Sequence, residues 1–365
     1  MAAIIRIVMC CALSAVSVLL NVAAASGSAE PIRISIQTSP KAVPATELPL
    51  PSADWKKAFE HAAETKGSGP PVTDMVVLQG EHRYAVNGDY QLYDAQQGTL
   101  ITLPADYRRM LRGYMAWLRS VHYGELLTWP QAKQVLTMKS RFTVHDLETG
   151  LRFHVQRRAG STHADVQPLT KQDTRIMKQI YSGKWTWKRR AIVVEKDGHT
   201  IAASMHGMPH GGDGIPDNDF DGHFCIHFLG SSTHKTATVD PDHQTMVHKA
   251  AGELYRYADR SSAANVIALF FIAINQQDPE VMSALFQVRN HPGLQAALAE
   301  LGQITAIKRV TDLPDEADDG MLVRNIEARA VVYRLEKRKE ERTFVFQLRR
   351  SGPWQPWKIE AVESK

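Results

Sequence analysis

Cysteine is scarce in this chain, and what remains after processing is scarcer. Only three of 365 residues are cysteine. Two of them, Cys10 and Cys11, lie inside the apolar run Ile7 to Leu20. That run follows a lone early charge, Arg6, and precedes the small residues Val22-Ala23-Ala24-Ala25-Ser26. This is the layout of a secretory signal peptide over residues 1–29, and it predicts a secreted, periplasmic or cell-envelope protein. The run is short for a bilayer span, so no membrane span is expected after signal removal. Cleavage leaves Cys225 as the single thiol, which excludes a disulfide framework within one chain. An odd thiol in an exported protein is buried and inert, paired between chains, or reactive.

Charge of one sign is also lacking. The formal net charge is +4 on 365 residues, spread along the chain, and no nucleic-acid partner is expected. The run Glu336-Lys-Arg-Lys-Glu-Glu-Arg342 reads as a solvated hairpin tip. With 44% hydrophobic and 22% charged residues, the chain has the composition of an ordinary globular protein and the length for two or three domains.

The element pattern predicts an α+β protein. Residues 30–54 carry Pro31, Pro40, Pro44, Pro49 and Pro51 and read as a Pro-rich extended linker. Residues 55–128 form an N-terminal α+β region without visible chemistry: a helix over 55–66, short strands over 74–103 with a hairpin turn at Asn87-Gly88, and a helix from Ala105 to Val121. Residues 129–258 form a β-rich core. Its signals are hairpins turning at Glu148-Thr149-Gly150 and Asp197-Gly198, a helix capped by Thr170 with Asp173, and a helix opening at Asp240-Pro241. Residues 259–365 form a second α+β region, with an apolar helix over Ala263–Asn275, two shorter helices and four strands.

The core contains a candidate site. Gly222-His223-Phe224-Cys225-Ile226-His227-Phe228-Leu229-Gly230 reads as a short strand between glycines. Alternation puts Phe224, Ile226 and Phe228 on one face and His223, Cys225 and His227 on the other. Upstream lies His206-Gly207-Met208-Pro209-His210, joined to the strand by a loop rich in turn formers. Seven of the 15 histidines fall between His206 and His248, an excess that asks for a chemical reason. A thiol is a poor nucleophile until a neighbouring imidazole takes its proton. His206 ends the preceding strand and is the expected base. His223 and His227 flank the thiol, where either could orient it or support the oxyanion, and His227, His210, Gly207 and Gly222 are the candidates for substrate or oxyanion contacts.

Those residues resemble a family. His206, a spacer of fifteen residues and then Gly222-His223-Phe224-Cys225-Ile226-His227 is similar to the L,D-transpeptidases of the YkuD type. They carry a histidine, a spacer of similar length, and Ser/Thr-His-Gly-Cys-x-Arg/Asn. Here Gly222 stands for Ser/Thr, Phe224 for the glycine and His227 for the arginine. The resemblance covers residues 140–250. It implies that Cys225 is acylated, that His206 is the base and His223 the supporting histidine, and that the reaction is transpeptidation or hydrolysis on peptidoglycan stem peptides without a cofactor. The C-terminal helices followed by a bent antiparallel sheet resemble the NTF2-like cone fold in element order, which implies a binding or spacer module.

Two other chemistries use the same residues. His206, His210, His223, Cys225 and His227 are five N/S ligands suited to zinc, which would make a zinc-dependent cell-wall peptidase or amidase, with Asp213, Asp217, Asp219 and Asp221 as added oxygen ligands. Calcium is a further possibility for Asp217-Asn218-Asp219-Phe220-Asp221. A third alternative is a non-catalytic envelope-binding protein with a structural cluster. His234, His243 and His248 read as surface or helix-face residues, His163 and Asp165 as a small polar turn with a hydrogen-bonded pair beside the site as the alternative, and Trp185 and Trp187 as hairpin core.

Overall fold

A computed structural model describes residues 31–212, 214–233, 237–314, 320–335 and 339–365. The signal segment, Asp213, His234 and residues 336–338 of the charged run lie outside the described residues. The secondary structure is α+β throughout.

The first unit runs β1 (Ile32–Ile36), β2 (Thr46–Leu50), α1 (Ser52–Glu60), β3 (Ala63–Lys66), β4 (Met75–Gln79), β5 (His82–Val86), β6 (Leu92–Asp94), β7 (Thr99–Thr102) and α2 (Ala105–His122). Its strands form one antiparallel sheet, ordered β2-β1-β4-β5-β6-β7-β3. Residues 32–50, expected as a linker, are therefore two strands. Ile32, Ile34 and Ile36 are buried, and their alternation outweighs the prolines, which sit just outside the strands, in the connection between them, or on the edge strand β2 where no ladder donor is lost. The helix expected over 55–66 stops at Glu60, and Ala63–Lys66 pairs with β7 instead.

The second unit follows as α3 (Trp129–Val135), β8 (Arg141–Asp146), β9 (Arg152–Ala159), β10 (Ala164–Pro168), α4 (Lys171–Ile180), β11 (Arg189–Lys196), β12 (His199–His206), β13 (Phe224–His227) and α5 (Pro241–Ala250). Six strands close into an antiparallel barrel, β10-β13-β12-β11-β8-β9. Strand alternation separates its two faces. Phe142, Val144, Phe153, Val155, Ile192, Val194, Ile201, Ala203, Met205, Phe224 and Ile226 fill the interior. Their alternates on the outer face, Ala191, Val193 and Ala202, join a different core together with Met246 and Ala250 of α5. Helix α5 thus lies on the outside of the barrel wall.

The third unit is α6 (Leu254–Asp259), α7 (Ala263–Gln276), α8 (Pro279–Ser283), α9 (Pro292–Leu301), β14 (Ile304–Arg309), β15 (Val323–Arg334), β16 (Lys339–Arg349) and β17 (Lys358–Ser364). The four strands form one antiparallel sheet in chain order. Helix α7 is apolar on almost every side because it is buried between units. Phe270 and Phe271 meet Phe344 and Phe346 of the sheet, and the same core continues to Leu111 and Met115 of α2. Lys249 ties the units electrostatically. Its buried ammonium bonds Glu148 at the β8–β9 turn at 2.7 Å and Asp278 before α8 at 2.6 Å. Among the described residues no helix is long and apolar enough to cross a membrane.

Candidate active site

Three strands align on the outer barrel face to gather a largely buried polar patch. Cys225 of β13 pairs directly with Asp165 of β10, and His227 pairs with Ser204 of β12. His206 lies two residues beyond Ser204 and so shares its face. Phe224, Ile226 and Phe228 point into the barrel, as the alternation requires.

Helix α5 roofs this patch. Asp240 caps it, with Oδ1 accepting from the Asp242 amide at 2.8 Å, while Oδ2 accepts from Arg189 of β11 at 2.7 Å. Gln244 accepts from the Gly230 amide and donates to the Phe228 carbonyl, fastening the helix beyond β13. These bonds press His243 onto the patch. Its ring lies on that of His227, and Nδ1 meets the Ser204 hydroxyl at 2.9 Å. His163 stacks on the other side of His227, centroids 4.4 Å apart. Its Nδ1 donates to the Ser232 carbonyl at 2.8 Å and its Nε2 lies 3.1 Å from Asp165.

The loop after β12 brings the remaining histidines. His210 and His223 exchange both backbone hydrogen bonds, at 2.9 and 2.8 Å, in an isolated antiparallel bridge. Two glycines permit that approach. Gly222 has φ +93°, and a Cβ on it would sit 2.4 Å from the His210 carbonyl oxygen. Gly211 has φ +71°, and its Cβ would strike the His223 ring. Any side chain at either position meets both strain and a clash. The fully buried Gln167 of β10 fastens the loop twice, donating to the Gly222 carbonyl and accepting from the Ile215 amide at 2.6 Å. Asn218 bonds the Pro168 carbonyl, and Thr174 of α4 bonds the Asn218 carbonyl.

The thiol of Cys225, 5% exposed, faces His210 Nε2 at 3.4 Å and Asp165 Oδ1 at 3.7 Å. His210 Nδ1 lies 3.1 Å from the Met208 carbonyl, which only accepts. The Nδ1 therefore carries the proton, and Nε2 presents its lone pair to the sulfur. His206, expected as the base, has the opposite arrangement. Its Nδ1 accepts from the Met208 amide at 3.3 Å, so in the neutral ring Nε2 is the protonated nitrogen. Sequence spacing singled out His206, whereas the closure of the loop gives the contact with sulfur to His210.

Electrostatics keep the thiol and two of the buried imidazoles uncharged at rest. Burial, then the Asp165 carboxylate, push the Cys225 thiol far up, and Arg189 opposes them weakly. Burial, then neighbouring imidazoles, hold His206 and His243 well below the usual histidine range. The thiol, not the thiolate, is thus the resting form of Cys225.

The five-ligand metal set divides. Ligand atoms of His206, His210 and Cys225 lie within 4.8 Å of one another, and so do those of His163, Cys225 and His227. His223 belongs to neither group. The acidic loop does not gather: Asp217, Asp219 and Asp221 are in no such group among the described residues, and Asp219 pairs with Lys171 at 3.2 Å. Of the expected oxyanion contacts, the Gly207 amide is taken by the Thr186 carbonyl at 2.9 Å.

Several residues lie elsewhere than their sequence pattern predicts. His243 is in the cluster, not on the surface. Trp187, half exposed rather than core, packs over His206 and His210 at 4.7 and 5.3 Å. Trp185 does pack on Phe220 beside the barrel core. His248 stays out of the site, stacked on Tyr257. His163 and Asp165 do form a pair beside the site, and the signals for Ser204 and His243 were short: Ser204-x-His206 at strand spacing, and His243 in the first turn after a capping Asp240. No protein-family model matches the chain, and no curated protein and no solved structure matches it either.

Proposed function

We propose that the protein is a cysteine-dependent acyltransferase acting on peptide carbonyls, with Cys225 as nucleophile and His210 as general base. The observation that carries this reading is the ordered trio of Cys225 Sγ, His210 Nε2 at 3.4 Å, and the Met208 carbonyl 3.1 Å from His210 Nδ1. A nucleophile, a base in the accepting tautomer and a group that fixes the tautomer are the parts a triad needs. As sulfur attacks the carbonyl carbon, its proton passes to His210 Nε2. The tetrahedral adduct collapses to a thioester as the leaving amine takes that proton. An amine or water then attacks the thioester and releases the thiol. The solvent side is the one with Trp187, His210 and His223, since the other members are buried.

Peptidoglycan stem peptides are the proposed substrate class, and a secreted, periplasmic or envelope location is proposed with it. Support comes from the spacing of His206, His223 and Cys225, which resembles the L,D-transpeptidases, and from the signal-like N-terminus. The order of helices α7–α9 followed by β14–β17 supports reading the third unit as an NTF2-like cone.

The test separates the two histidines. His210→Ala should lower turnover of a stem tetrapeptide by about 10²–10⁴-fold, the usual worth of a general base, and His206→Ala by much less. The reverse ranking would return the base to His206. Zinc is favoured as a second reading by the two His/Cys groups. It predicts stoichiometric metal in the purified protein and a thiol that chelator unmasks.

A further inference from the structure

A cavity of about 820 Å³ opens between the barrel wall, α5 and helices α7–α9, within the size range of small-molecule and peptide sites. Six cations and two carboxylates line it. Three of the cations are already matched: Arg189 by Asp240, Arg190 by Asp146, and Lys249 by Glu148 and Asp278. Among the described residues Lys41, Lys184 and Lys188 form no ion pair. Lys188 is the informative one. It is partly buried, and burial alone lowers its ammonium's pKa. An ammonium withdrawn from water without a counter-charge is costly, and an anion in the cavity would relieve that cost.

The cavity adjoins the thiol site through one segment. Arg189 lines the cavity and is the register partner of His206 across β11 and β12. Trp187, one residue before Lys188, covers His206 and His210. The polar lining is mixed, with Tyr181, Gln276 and the Glu148 carboxylate beside the lysines, which suits a peptide carrying both charges better than a polyanion.

Resting on the acyltransferase reading, we infer that this cavity is the seat for a carboxylate of the donor peptide, held by Lys188 with Lys184, while the reacting carbonyl is presented past Trp187 to Cys225.

Binding is best measured in full-length Cys225→Ala protein, where no thioester forms, so that affinity is read apart from chemistry. The probe is an acidic stem tetrapeptide, compared with the same peptide with its carboxylates amidated. Amidation is expected to weaken binding about tenfold, the scale of one charge-assisted hydrogen bond. Lys188→Gln should weaken the acidic peptide equally and leave the amidated one unchanged. Equal affinity for acid and amide, or no effect of Lys188→Gln, overturns the carboxylate seat. Absence of binding by either peptide overturns it too. Displacement by inorganic phosphate at far lower concentration than by acetate would overturn it in favour of a phosphate site. Failure of the acyltransferase reading shows separately, as wild-type protein that binds the peptide but never forms a Cys225 thioester by intact mass.

Discussion

The imidazole of His227 lies flat against that of His243, ring centroids 3.8 Å apart and planes within 3° of parallel. Two cations cannot occupy that stack, and burial already disfavours charge on His243. Neutral histidine is thus a condition of the folded state. The same holds for His206, and for His122 and His145, both lowered from 6.5 to about 4 chiefly by burial. His122 sits between the hydroxyls of Thr38 and Thr46 at 3.0 and 2.9 Å.

Acid sensitivity follows, with a definite sign. Below pH 6.5 the unfolded chain takes up protons that these buried rings refuse, so stability falls as pH drops from about 6.5 towards 4. His122 and His145 each account for a loss on the order of 3 kcal/mol at most over that window. Asp242, raised to about 6 by burial and by Asp240, works the other way: the folded state holds its proton more tightly, which offsets part of the loss below pH 6. Thermal melts at pH 7.5, 6 and 5 should show Tm falling at each step. His122→Gln should flatten the profile, and a wild-type Tm that holds constant to pH 5 would sink the account.

The thiol's resistance to ionisation gives the second prediction. Burial is the larger cause and the Asp165 carboxylate, 3.7 Å from sulfur, the next. Iodoacetamide should therefore label native Cys225 slowly near neutral pH, because the thiolate is the reacting form. Asp165→Asn removes the charge and keeps the shape. Labelling at pH 8 should then rise by roughly tenfold, as for a thiol pKa about one unit lower. The check is intact mass against time across pH, with His163→Gln as control for the broken His163–Asp165 pair. An unchanged rate would assign the whole effect to burial.

Local patterns carried well from sequence to structure, and long-range ones did not. Thr170 and Asp173 form the reciprocal cap that their spacing requires, Asp240-Pro241 opens α5, and alternation sorted Phe224 and Ile226 from Cys225 and His227. Each of these is decided within a few residues. By contrast, His243 reaches the site because α5 docks on the barrel, and its first-turn position says nothing of that. His210 displaces His206 at the sulfur because the loop closes on His223, a pairing fixed by Gly211, Gly222 and Gln167 together. The strands over 32–50 were hidden because their prolines are tolerated only at edges and ends, which the chain alone does not reveal.

Gln167 offers the last prediction, since it holds the loop that seats His210. Its amide spans from the Gly222 carbonyl to the Ile215 amide in a fully buried position. Gln167→Leu keeps the volume but strands one donor and one acceptor, at a cost of about 2–4 kcal/mol. The melting temperature should fall by several degrees. The more telling readout is local: amide exchange at Ile215 and His223 should speed up, while the barrel interior around Phe153 and Val155 stays protected. Thioester formation at Cys225 should slow as His210 loses its place, and a further His210→Ala change should then cost less than it does in the wild type. If exchange at Ile215 and His223 were unaltered, the fastening would belong to Asn218 and Thr174 on the other side of the loop.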